Sequence, residues 1–263
     1  MKRAGLLALA LLSTLARAQG TGGCDPAIEE ALRSFDAKPP LEGAVVAAHC
    51  KPWPPSAGSV VAAVMAFRVQ EPDAVRRNWD LPGVVALLDA RTHRVLRGRR
   101  FTVGEDAATR VAEGGLVIDT ANYVVAPGVR ALGLRFRNDA RPSGAADAWW
   151  GDELMLMVPE GRRLKPVFCQ PMRVKQAQVG AISYRHSGAI WSDVTMTLAI
   201  GPRAAAGWND LLVTATLALD GAEGAPFDPT PQRSQLTYRH DGKGYQLLER
   251  PTPSWAEYRC SFW

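Results

Sequence analysis

The chain reads as an all-β protein, an antiparallel, sandwich-like sheet assembly with one short N-terminal helix and two disulfides. Three observations lead there. Long stretches alternate apolar and polar residues with a period of two, as in Val194, Met196, Leu198 and Ile200, which is the spacing of a half-buried strand. Glycine- and aspartate-rich turns separate these stretches at short intervals. Four cysteines, Cys24, Cys50, Cys169 and Cys260, lie behind a leader-like start, and an even count in an exported chain points to disulfides.

The opening MKRAGLLALALLSTLARAQG has a cationic start, an apolar run from Ala4 to Ala16 and the small-x-small triplet Ala16, Arg17, Ala18. These are the parts of a secretory signal peptide over residues 1–18, with Gln19 as the first mature residue. The apolar run is too short to cross a bilayer core of about 30 Å. A lipoprotein would need a cysteine directly after the cleavage point, whereas Cys24 follows Thr21, Gly22 and Gly23. The expected location is therefore periplasmic or secreted, without a membrane anchor.

Export also changes the charge. The 263 residues carry 31 Lys and Arg against 26 Asp and Glu. Removing Lys2, Arg3 and Arg17 leaves 28 against 26, a surplus of two. That is too small for a protein dedicated to nucleic acid, which needs a concentrated basic face. With 47% hydrophobic residues, the chain has ample material for a packed core and is not disordered.

After the leader, Asp25 can cap a helix that opens with Pro26, placing Ile28, Ala31, Leu32 and Phe35 on one face and ending before Pro39. Residues 19–55 form this helix and a strand region, and 56–263 the main β domain. The Pro-rich stretch from Lys51 to Pro55 and the segment near Pro171 offer boundaries. Val84–Leu88 and Leu154–Val158 are apolar throughout and suit strands covered on both faces. Asp89–His93 links the first of these to Arg94–Phe101 as a hairpin. Leu132, Leu134 and Phe136 alternate with Gly133, Arg135 and Arg137, so one face of that strand is expected to meet solvent. Leu211 to Leu219 repeats the alternation, and Asp241-Gly242-Lys243-Gly244 closes a hairpin between Leu236–His240 and Tyr245–Leu248. Of the three ways to join four cysteines, Cys24 with Cys50 and Cys169 with Cys260 groups an N-terminal and a C-terminal pair.

No catalytic signature stands out. The histidines, His49, His93, His186 and His240, are far apart, and no zinc-protease spacing, Gly-x-Ser-x-Gly elbow or phosphate-cradling glycine loop occurs. His186 has Ser183, Ser187 and Asp193 nearby, yet triads are normally assembled from separate elements. Asp147, Asp152 and Glu153 surround Trp149 and Trp150, but adjacent Asp152 and Glu153 on a strand would face opposite ways, which disfavours a glycosidase pair. Asp220, Glu223 and Asp228 lack the alternating pattern of a calcium loop. We therefore expect no metal and no cofactor, and favour binding over catalysis.

Consecutive Trp149 and Trp150 cannot enter one core together, and large aromatics on loops suit protein interfaces or saccharide platforms. Trp208-Asn209-Asp210-Leu211-Leu212-Val213, followed by Leu236-Thr237-Tyr238-Arg239-His240-Asp241-Gly242-Lys243-Gly244-Tyr245, resembles secreted Gram-negative β-proteins related to periplasmic i-type lysozyme inhibitors. Val84–Leu96 and Ile118–Phe136 look similar to the same group. The resemblance implies inhibition by a protruding loop that enters the cleft of a wall-degrading enzyme. Such loops often carry Ser-Gly-x-x-Tyr, and Ser187-Gly188-Ala189-Ile190-Trp191 is similar, with Trp in the aromatic place. The expected partner-binding residues are then Ser187, Gly188 and Trp191, with Trp149 and Trp150. The expected partner is a lysozyme, or a peptidoglycan-degrading toxin against which the chain gives immunity. A glycan- or envelope-binding module and an unrecognised secreted hydrolase are the alternatives.

Overall fold

A computed structural model describes residues 24–37, 39–68, 79–140, 148–179, 190–204, 207–220, 231–248 and 260. The one α-helix among these residues, α1 (Pro26–Arg33), begins where Asp25 accepts the Ala27 amide at 2.8 Å and Pro26 fills the first turn. Ile28 and Leu32 point inward, and Arg33 pairs with Glu29 one turn back at 2.7 Å. The helix stops at Arg33, two residues short of Phe35; the chain leaves the helical path at Asp36, whose φ is +48°, and the Arg33 guanidinium reaches on to the carbonyls of Leu41 and Gly43.

Nearly all the rest is strand: β1 (Ala44–Pro52), β2 (Val60–Arg68), β3 (Trp79–Asp89), β4 (Val95–Glu105), β5 (Val111–Asp119), β6 (Val124–Ala126), β7 (Val129–Arg130), β8 (Leu132–Asn138), β9 (Ala148–Glu160), β10 (Arg163–Val179), β11 (Ile190–Arg203), β12 (Asn209–Asp220), β13 (Gln232–His240) and β14 (Tyr245–Leu247). Twelve of them make one large mixed sheet, and β6 with β7 forms a separate hairpin. The expected hairpins at 89–94 and 241–244 are both present.

The sheet branches at β10. On one side β10 pairs with β9 over most of its length, continuing through β8 to β5. Its C-terminal half also pairs with β11, which leads to β12, β13 and β14. Its first residue, Arg163, makes a single parallel bridge to Gly98 of β4, the end of the meander β1-β2-β3-β4. The meander then curls until β1 lies against β5. No ladder closes that seam; the Ile118 amide of β5 instead donates to His49 Nδ1 of β1 at 3.2 Å. The result is barrel-like.

Three cores follow from this curl. Inside the barrel pack Ala62, Val64, Val85, Leu87, Phe101, Leu134, Phe136, Met155 and Met157, among others. Outside it, α1 covers Ala63, Met65, Phe67, Val84, Ala86 and Leu88. The third core lies between the outer face of β9 (Leu154, Leu156, Val158), the inner face of β10–β14 (Phe168, Val174, Val194, Leu211, Leu236) and the hairpin residues Tyr123 and Val125. Strands β3 and β9 are buried on both faces, which explains their continuous apolar sequence.

Pro166 and Pro171 fall inside β10, at two of the register shifts of its ladder with β9. Between Arg163 and Arg173 the other edge of β10 carries no ladder, so these two residues need no second hydrogen bond there. Disulfides join Cys24 to Cys50, tying the start of α1 to β1, and Cys169 to Cys260, tying the C-terminal region to β10. The pairing is the one expected.

Packing in the barrel leaves no room at Gly83, where a Cβ would collide with the Phe101 ring. Gly83→Ala should therefore destabilise the protein by about 1–3 kcal/mol, measured by urea denaturation. Reduction should cost more. Loops of 26 and 91 residues imply about 3–5 kcal/mol per bridge on the chain-entropy account, to be read as separate shifts in Cys24→Ala/Cys50→Ala and Cys169→Ala/Cys260→Ala variants.

Candidate functional site

Strand register sorts the expected aromatic residues. Trp149 opposes Lys175 on β10, which opposes Asp193 on β11; Trp191 opposes Ala177 two positions along. Alternation therefore puts Trp149, Arg173, Lys175, Asp193 and Trp191 on one face, away from the third core. Trp150 opposes Val174, which is buried in that core. The two neighbouring tryptophans thus face opposite ways and share no platform.

The face is organised around Arg173. Its Nη2 donates to Asp193 Oδ2 at 2.7 Å and its Nε to Oδ1 at 3.3 Å, and this bonding raises the guanidinium pKa. The Arg173 Cζ also lies 6.0 Å from the centre of the Trp149 ring. Trp149 is held in turn by its indole N–H, which donates to the Ala140 carbonyl at 3.1 Å, and by Gly151, whose missing side chain makes room for the ring. Both Trp149 and Trp191 are half-buried, while Arg173 is exposed. Such a strip offers flat apolar surface with a fixed charge pair between, on rigid strands. Trp191 belongs to β11, so the aromatic end of the expected loop is a strand residue. Ser187 and Gly188 lie outside the described residues.

On the other face of β9, Asp152 meets a second charged group. Arg135 of β8 donates from Nη1 to Asp152 Oδ2 at 2.8 Å and from Nε to Asp119 Oδ2 of β5 at 2.7 Å. The Tyr123 hydroxyl donates to the same Asp119 oxygen at 2.8 Å. Burial would raise Asp119, but the Ala121 amide, Arg135 and Tyr123 together hold it below its ordinary value. Burial does prevail at Asp152, raising its pKa despite Arg135, and leaves its Oδ1 without a partner. Burial, then the bond to Asp119, pushes the Tyr123 phenol up to about 12. The expectation that Arg135 meets solvent is corrected here: its side chain is three-quarters covered because two carboxylates claim it. Its sequence signal was only a charge in an alternating strand.

This arrangement does not make a hydrolytic carboxylate pair. Asp152 and Glu153 point to opposite faces, Glu153 is fully buried, and Asp152 is neutralised by the arginine that also holds Asp119. Asp147 and His186 lie outside the described residues. His93 sits at positive φ in the 89–94 turn. Glu153, Cys169 and Cys260 come within 4.8 Å of one another, but both sulfurs are consumed by the disulfide and offer no thiolate. Asp220 ends β12, and 221–230 lie outside the described residues.

Trp208, Asp210, Arg239, His240 and Tyr245 pack together around strands β12 to β14 of the large sheet. Trp208 stacks on His240 with ring centres 3.8 Å apart, Tyr245 meets both rings edge-on, and Arg239 pairs with Asp210 at 2.8 Å. His240 Nδ1 accepts the Gly242 amide at 3.0 Å, fixing the 241–244 turn. Comparison of the chain with protein-family models, curated proteins and solved structures finds no match. No helix among the described residues is long and apolar enough to cross a membrane.

Two partly buried histidines predict a stability that depends on pH. Burial lowers the pKa of His49 below its ordinary 6.5, aided by the charges of Lys51 and Arg137. Burial likewise lowers His240, with Lys165 adding to the effect and Asp241 opposing it. In both cases the unfolded chain binds the proton more readily, so their contribution is complete above pH 6.5 and is lost as the pH falls below it. Urea titrations from pH 7.5 to 5 should show falling stability, with a shallower fall in His49→Gln. Arg135→Met, which strands Asp119 and Asp152, should cost about 3 kcal/mol at neutral pH, seen in the same assay.

Proposed function

We propose that this chain is a non-catalytic binding protein of an oxidising compartment outside the cytoplasm, and that its partner is a peptidoglycan-degrading enzyme. The observation that carries the binding reading is the strip of Trp149, Arg173, Asp193 and Trp191 on one face of β9–β11. Tryptophan and arginine are the residue types that most often dominate interface energetics. Here they stand on strands, held by Ala140, Gly151 and Asp193, so little ordering entropy is lost on binding. Two disulfides fit an oxidising compartment, and the leader-like residues 1–18 agree with export. The choice of a wall-degrading enzyme rests on the resemblance, with Ser187 and Gly188 preceding Trp191 in the sequence. A glycan partner is the second reading, favoured by two half-buried indoles on one face.

The test is wall lysis by a panel of lysozymes and bacterial peptidoglycan hydrolases, with and without the oxidised chain. Dose-dependent protection is expected. Ser187→Ala/Trp191→Ala should weaken it about tenfold or more with little change in melting temperature, and Trp149→Phe should weaken it less. No protection against any enzyme, together with measurable affinity for peptidoglycan fragments alone, would replace the inhibitor with the glycan binder. Full protection by the double variant would remove this strip from the interface.

A further inference from the structure

One end of the barrel, where β1 and β5 finish and β4, β8 and β10 begin, carries three arginines that pair with no carboxylate among the described residues. Arg97 and Arg99 alternate with Phe101 and Val103 along β4, and oppose Leu87 and Val85 of β3. All four of those neighbours belong to the barrel core, so both arginines stand on the inner face. Arg130 approaches from the strand before β8, with its Cζ 5.3 Å from the ring centre of Trp53, another residue of that core.

Their hydrogen bonding is incomplete. Arg97 donates from Nε to the Gly161 carbonyl at 3.1 Å, and Arg130 from Nη2 to the carbonyls of Thr120 and Ala121 at 2.6 and 3.3 Å. The Nε atoms of Arg99 and Arg130 are buried and have no hydrogen-bond partner among the described residues. Arg68, Arg135, Arg173 and Arg239 each reach a carboxylate at 2.7–2.8 Å, whereas Arg97, Arg99 and Arg130 reach none among the described residues. Burial depresses the Arg99 guanidinium, and no acidic side chain among the described residues offsets it. A covered cation without a counter-charge is costly, and proteins ordinarily supply one.

We propose that this end of the barrel is an oxyanion site, in which Arg99 and Arg130 hold the carboxylate or phosphate group of a small ligand and Arg97 flanks it. The planar guanidinium fork suits both groups, since each can accept two parallel N–H bonds. The site lies at the opposite end of β10 from Arg173 and does not depend on the binding strip.

The experiment uses the full oxidised chain and reads melting temperature against inorganic phosphate, acetate and, at matched ionic strength, sodium chloride. A saturating rise with phosphate or acetate beyond that with chloride is expected, as for any ligand that binds only the folded state. The anion giving the tighter half-saturation identifies which of the two chemistries the natural ligand carries. Arg99→Met and Arg130→Met should each weaken binding about tenfold or more, the scale of a lost charge-assisted hydrogen bond. Arg99→Met should melt no lower than the parent without anion, because it removes an uncompensated charge. Arg100→Met, on the outer face where Arg100 bonds the Asp36 carbonyl, should keep the response. The proposal is overturned if neither anion acts beyond chloride, or if the rise survives in both Arg99→Met and Arg130→Met.

Discussion

The whole structure depends on one ladder, β9 with β10, being covered on both sides. Met155 and Met157 fill the barrel while Leu154, Leu156 and Val158 fill the core under the β10–β14 part of the sheet. Neither core can be completed without this shared wall. At roughly 25 cal/mol per Å² of buried apolar surface, a strand buried on both faces contributes about twice what an ordinary half-buried strand does. The Cys169–Cys260 bridge is anchored on the same wall, beside the fully buried Glu153.

The wall also explains where charge can sit. Beyond the apolar stretch, β9 runs on through Asp152, Gly151, Trp150 and Trp149, and its two faces separate into different environments. One gives Asp152 to Arg135 and Asp119; the other gives Trp149 to Arg173 and Asp193. The bulges that interrupt the β9–β10 register in this region mark the passage from the two-sided apolar wall to the charged and aromatic end of the strand, since a bulge re-aims the side chains beside it.

Much of the architecture was legible in the sequence because strand alternation is a local signal. Val194–Ile200, Leu211–Leu219, the helix cap at Asp25 and the 241–244 turn all announce themselves within a few residues. The continuous apolar runs at Val84–Leu88 and Leu154–Val158 told of two-sided burial, and cysteine count with position told of the bridges. What escaped depends on distant partners. Alanine-rich β1 and β2 carry little alternation, and Pro166 and Pro171 argue against a strand until the unpaired edge of β10 is known. The His49–Ile118 seam, the double grip of Arg135 and the unpaired Arg99 are relations between remote segments. At the candidate site, the opposite orientation of Asp152 and Glu153 followed from period two, and the same rule separates Trp149 from Trp150. The pairing of Arg173 with Asp193 needed the register of β10 with β11.

The seam between β1 and β5 also bears on the order of assembly. His49 and Ile118 are separated by 69 residues, so bringing them together must overcome the closure entropy of a long loop for a single side-chain hydrogen bond. The β9–β10 hairpin, by contrast, turns within Glu160-Gly161-Arg162-Arg163, and its closure is nearly free of that cost. Chain topology therefore favours an early wall and a late seam. In a chain made from its N-terminus, β1 to β4 can pair with one another as the meander, but β5 and the barrel-facing apolar residues stay uncovered until β8 to β10 have arrived.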